Sequence, residues 1–117
     1  MTATPDMTNY NRGDVVLVRC QVSGRQDSVR PALVVSTDAY HQGRQKVVVA
    51  AITSNQPPAR PGDILIERWP EAGLLGPSLV TGVLLTVAPE RLVRSLGTLS
   101  PEEMAEVERS LRLSLSL

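Results

Sequence analysis

Four apolar runs decide what this chain can fold into. "GDVVLVRC" (Gly13–Cys20), "PALVVS" (Pro31–Ser36), "KVVVAAITS" (Lys46–Ser54) and "LVTGVLLTV" (Leu79–Val87) are rich in Val, Leu and Ile. Polar, Gly-rich or Pro-rich segments separate them. Runs this short, dominated by β-branched residues and bounded by turn residues, predict strands rather than helices. Pro31–Ser36 is nearly all apolar, which predicts a strand buried on both faces. "ILIERW" (Ile64–Trp69) predicts a fifth strand. Between the strands, "NQPPARPGD" (Asn55–Asp63) holds three prolines and a glycine and can be neither helix nor central strand. "PEAGLLGPS" (Pro70–Ser78) is a Gly/Pro loop, "QVSGRQDSVR" (Gln21–Arg30) reads as a mobile polar loop, and Gly82 marks a bulge.

The end of the chain changes period. Ser100, Pro101 and Glu103 occupy the N-cap, N1 and N3 positions of a capping box. Met104, Val107 and Leu111 then share one helical face. The last residues, "LRLSLSL", alternate like a strand and leave the helix end open. "TDAYHQGRQ" (Thr37–Gln45) reads as a polar connection with a helical turn, its His41 solvated, and a short helical piece is expected near Pro89–Leu96. Cys20 and Trp69 read as packing residues. Strands without alternating helices argue for a small, strongly bent sheet or barrel carrying a C-terminal helix.

Composition sets further bounds. A chain of 117 residues makes one domain with a real core. Without Phe, and with one Trp and two Tyr, that core must be aliphatic. Twelve basic and twelve acidic residues cancel, so bulk charge gives no nucleic-acid signature. Residues 1–70 carry net +2 and residues 71–117 net −2, which directs an anionic ligand to the first half. One Cys and one His make a zinc site improbable and fit a reducing cytosol. There is no long apolar run for a membrane span and no apolar signal core at the polar start. Residues 1–11 are expected to be a flexible segment and 12–117 a single domain in a cytoplasmic protein.

The Arg30-Pro31 pair holds a cation at the threshold of a buried strand. Proline restricts the preceding residue to extended geometry, so Arg30 is aimed consistently. "AAITSN" ends another apolar strand in Thr53, Ser54 and Asn55, a cluster of hydroxyl and amide groups that serves either to end the strand or to bind a ligand.

In order, "RGDVVLVRC", "RPALVVS", "VVVAAITSN" and "GPSLVTGVLLTVAPERLVRSLGTLSPEEMAEVERSL" resemble the MazF/PemK family of toxin ribonucleases, from about Arg12 to Leu111. The resemblance implies an SH3-like barrel with a C-terminal helix, a homodimer, and cleavage of single-stranded RNA without metal or cofactor. It also implies inhibition by a cognate antitoxin. Arg30 and Thr53 match the family's catalytic Arg and Thr. Arg19, Arg25, Ser54, Asn55 and Ser78 become candidate RNA contacts, Arg25 within a loop that covers the groove. A guanidinium presents planar donors to phosphate oxygens, which suits Arg30 to stabilising transition-state charge. The family's Gln-Ile-Arg-Thr run reads Val83-Leu84-Leu85-Thr86 here. Two alternatives therefore stay open: a catalytically weakened RNA- or partner-binding barrel, and a gyrase-targeting toxin of the same fold.

Overall fold

A computed structural model describes residues 10–20, 28–54 and 60–117. In chain order the elements are β1 (Asp14–Cys20), β2 (Ser28–Val34), α1 (Asp38–Arg44), β3 (Val47–Ser54), β4 (Ile64–Ile66), β5 (Ser78–Val87), β6 (Leu92–Thr98) and α2 (Pro101–Leu115). The strands form one antiparallel sheet in the order β4-β5-β3-β2-β1-β6. Each predicted strand is present, with ends shifted by a few residues. Among the described residues no helix is long and apolar enough to cross a membrane.

The apolar runs are continuous because the middle strands are buried on both faces. Val15, Leu33 and Ala50 occupy one face, packed with Ile52, Ile66, Val80 and, from α2, Met104 and Val107. Val16, Ala32, Val34, Val47 and Val49 occupy the other, with Val87 and Leu92. The alternating neighbours Leu33 and Val34 are both inaccessible to solvent. A one-residue slip would merely exchange one apolar face for the other, so apolar pattern alone leaves the register of these strands weakly specified. The break at Gly82 helps to fix it. Between Ala50 and Ile52 the β3–β5 ladder shifts, with Thr81–Val83 looping out opposite Ala51. The Thr81 hydroxyl donates to Ala51 O (2.8 Å) and accepts from the Val83 N–H (3.2 Å).

Two expectations need correction. The sheet does not close into a barrel: among the described residues β4 and β6 share no ladder. β4 is only three residues long, and the chain then turns instead of running on along β6. The segment after it covers the β6 edge, with one long backbone hydrogen bond from Thr98 N to Glu71 O (3.4 Å). Close backbone packing does the rest, since a Cβ on Gly97 would lie 2.6 Å from Ala72 C. The helical piece expected near Pro89–Leu96 shrinks to a 3-10 turn over Pro89–Arg91, and β6 follows. Pairing with β1 captures those residues, overriding the helix-start signal of Pro89.

The C-terminal helix begins as expected and then departs from the capping box. Ser100 is the N-cap and its Oγ accepts from Glu103 N (3.2 Å). The Glu103 carboxylate does more than serve its own helix. One oxygen accepts from Ser100 Oγ (3.0 Å), and the other from the backbone N–H groups of Glu67 (2.8 Å) and Arg68 (3.3 Å). It is buried, at 8% exposure. α2 is thereby clasped to the exit of β4. A second tie joins α2 to the start of β1: Arg12 donates to Glu108 (2.6 Å) and to Val35 O (3.0 Å).

Glu103→Ala removes the acceptor of two part-buried backbone donors and weakens the cap, and should lower stability by about 1 kcal/mol, read by denaturant unfolding. Glu108 sits below the ordinary carboxylate range because Arg12 hydrogen-bonds to it and attracts it, with Arg112 adding a smaller pull. A depressed folded-state value stabilises above the unfolded value and is lost as pH falls through the folded one. The stability gap between wild type and Glu108→Gln should thus be small but measurable at neutral pH, shrink through the acidic carboxylate range, and vanish below it.

Candidate active site

The site grows from the point where β2 and β3 part. Their ladder runs Val34↔Val49, Leu33↔Ala50, Ala32↔Ala51 and stops. Val35 donates to Val48 across it (3.0 Å). By the two-residue alternation of a strand, Leu33 and Pro31 are the next residues whose nitrogens face β3. Pro31 has no N–H to give, so the ladder loses a bond where the groove begins. β2 remains paired to β1 through Arg30↔Val18 and Pro31↔Leu17, while β3 turns to β5 through Thr53↔Leu79 and Ser54↔Ser78. Extending the register by two steps sets Arg30 across from Thr53. The proline thus both aims the arginine and opens the strands beside it.

A groove of about 400 Å³ lies between them. Arg30, Thr53, Ser54 and Ser78 all line it, so four of the seven candidate residues converge. Ile52 and Pro31 line it at the point of divergence, and Leu17 and Leu96 add apolar surface from β1 and β6. Arg30 and Thr53 are exposed. Arg30 is the single charged side chain in this lining, and no carboxylate of the described residues forms an ion pair with it. The local field therefore favours an anion. Ser78 plays a different part: it is buried, and its hydroxyl donates to Gly76 O (2.9 Å), closing the loop that precedes β5. Arg19 is exposed on β1 opposite Val29 and does not line the groove; its carbonyl accepts from Arg91 (3.3 Å). Arg25 and Asn55 lie outside the described residues.

The sequence reading missed one wall. Gly73 to Pro77 complete the groove, and no pattern in "GLLGPS" announces it. The segment is set by Gly73, at φ 75°, whose added Cβ would collide with the Leu96 backbone. Gly73 N donates to Pro70 O (3.0 Å) and Leu74 N to Trp69 O (2.9 Å). A larger hollow of about 670 Å³ shares Thr53 and Ser54 but carries both Arg60 and Asp63, so its charges offset. The smaller groove is the better anion site.

His41 is not solvated. It is fully buried, its Nε2 bonded to Ser36 Oγ (2.5 Å), and its Nδ1 has no hydrogen-bond partner among the described residues. α1 folds this side chain inward from a polar stretch whose other members are exposed. It does not line the groove.

Both the sequence and the fold have known relatives. Residues 11–115 match the model of the PemK-like, MazF-like toxins of type II toxin–antitoxin systems. The endoribonuclease MazF9 of Mycobacterium tuberculosis is 31% identical over 93 positions, covering 75% of this chain and 79% of that protein. Among solved structures, a mycobacterial endoribonuclease in complex with its cognate antitoxin superposes with TM-score 0.73 at 24% identity, covering 92% of this chain and 96% of that one. A MazE–MazF complex from Deinococcus radiodurans gives TM-score 0.78 at 20% identity, covering 93% and 97%. The chain belongs to the PemK/MazF-like toxin family, and with it to the endoribonuclease class of toxins.

Gly97→Ala should dislodge this wall, because its methyl group meets backbone rather than a yielding side chain. We expect a loss of about 2 kcal/mol in denaturant unfolding, with a larger loss of function than of fold.

Proposed function

We propose that the chain is the toxin of a toxin–antitoxin pair and cuts single-stranded RNA by attack of the substrate's own 2′-hydroxyl. One observation carries the reading: Arg30 and Thr53 line one groove beside the point where β2 and β3 part, and that guanidinium is the single charge in its lining. In the reaction the 2′-oxygen bonds to the adjacent phosphorus and the bond to the 5′-oxygen breaks. The 2′-hydroxyl loses a proton and the departing 5′-oxygen gains one. The products are a 2′,3′-cyclic phosphate (or a 3′-phosphate once it hydrolyses) and a 5′-hydroxyl. The substrate supplies the nucleophile already in place, so proximity needs little from the protein. What remains is the charge that builds on the phosphate. Arg30 offers paired N–H donors to the non-bridging oxygens, and the Thr53 hydroxyl adds a third. Arg30 is assigned the stabilisation of that charge and not the transfer of a proton, since a guanidinium is a poor general acid or base.

No metal or cofactor takes part in this scheme. The partners are single-stranded RNA, a second copy of the chain and a cognate antitoxin whose acidic or apolar segment enters the same groove. Val83 and Leu85, which depart from the family's Gln and Arg, do not line the groove that holds Arg30. Val83 lines the neighbouring hollow that shares Thr53 and Ser54, so the lost polarity bears on how RNA or a partner is held beside the site.

The test is incubation of purified protein with long, mixed-sequence single-stranded RNA in excess EDTA, with end mapping. Discrete cuts bearing 5′-hydroxyls are expected, reduced about 100-fold or more in Arg30→Ala and by a smaller factor in Thr53→Val. Undiminished cutting by Arg30→Ala would overturn the role given to the arginine. Intact RNA across a library of all short sequences would favour the binding-only or gyrase-targeting alternative.

A further inference from the structure

Leu75 is as exposed as a leucine can be, at 101%, yet it is not on a loose end. Its neighbour Leu74 is buried, Gly73 is packed on the Leu96 backbone, and Ser78 closes the loop onto Gly76. Isolated exposed leucines are common and need no explanation. This one lines the groove that holds Arg30 and Thr53. A large apolar side chain held in water at the lip of an anion site gains nothing in folding from its position. It gains if the ligand brings an apolar surface of its own.

We propose that Leu75 is a base-contacting residue that sets sequence preference next to the scissile phosphate. The inference rests on the endoribonuclease reading and extends it to substrate choice. Single-stranded RNA sites commonly hold bases against aromatic rings, and no aromatic residue lines this groove among the described residues. The groove offers aliphatic surface instead: Leu75 on the loop, Val29 half-exposed on β2, and Pro31 and Pro77 near them. A nucleotide presents an anionic phosphate and a flat, largely apolar base face in fixed connection. Arg30 meets the first requirement and Leu75 the second. At about 400 Å³ the groove lies at the small end of ligand sites, which limits the contact to a base adjoining the cut. An aliphatic segment of an antitoxin could press on the same leucine. The small size of the groove and the fixed connection of phosphate to base favour the nucleotide over a longer polypeptide segment.

The test compares wild type, Leu75→Ala and Leu75→Phe on a randomised single-stranded RNA library with fixed flanks, then on the preferred sequence. Leu75 has no core to support, so all three proteins should melt together. Leu75→Ala should raise KM about tenfold with kcat nearly unchanged, the mark of a lost uniform-binding contact. It should also flatten base preference at one position beside the cut, and Leu75→Phe should restore binding. If Leu75→Ala keeps the wild-type KM and preference, the proposal falls. If only its inhibition by the cognate antitoxin weakens, the proposal also falls and the leucine belongs to a protein interface. A wild-type protein that leaves the whole library intact overturns the ribonuclease reading itself, which separates that failure from the failure of Leu75.

Discussion

The buried Glu103 carboxylate ties the molecule's two halves together. Through Ser100 it fixes the start of α2, and through the Glu67 and Arg68 N–H groups it fixes the exit of β4. A charged group out of water is costly unless its hydrogen bonds are made, and here they are. Everything after β4 depends on that direction of exit: the turn through Pro70 to Gly73, the packing on Gly97, and the delivery of Gly73 to Ser78 as a wall of the groove. An open sheet with a three-residue edge strand would otherwise leave β6 uncovered.

The opposite wall depends on a missing hydrogen bond. β2 is buried on both faces along Ala32–Val34, and its ladder with β3 is regular there. At Pro31 the strand cannot donate, the neighbours separate, and Arg30 and Thr53 are left lining the gap. Stability and function thus meet in adjacent residues: the apolar run holds the frame, and the residue that breaks it makes room for an anion. That division explains why a protein with no net charge can still present a locally cationic groove.

Much of this was legible in the sequence, and the exceptions have physical causes. β1, β2, β3 and β5 announce themselves as short β-branched runs, and Ser100-Pro101 announces α2. The Arg30-Pro31 pair and the Thr53-Ser54 strand end were visible as candidates, and their convergence follows from register. β6 was hidden because its apolar residues, Leu92, Val93 and Leu96, follow no clean alternation, and only the edge of β1 decides their state. The open sheet was hidden because closure depends on where β4 ends, which a carboxylate thirty-six residues away controls. His41 read as solvated because its neighbours are polar, although α1 turns that one position inward. Leu75 carries no sequence signal: exposure of a leucine beside a buried one is a tertiary fact.

The proposed cleavage requires a phosphate to meet Arg30 and Thr53 together. NMR titration of the protein with single-stranded RNA of its preferred sequence, carrying a 2′-deoxy sugar at the cut so that it binds without reacting, tests this directly. The largest shifts should fall on the Arg30 side-chain N–H, the Thr53 amide and the Gly73–Ser78 amides, and the β1–β6 pairing should be undisturbed. Saturable binding with those signals unmoved, and shifts concentrated around Arg60 and Asp63 or on α1, would contradict it.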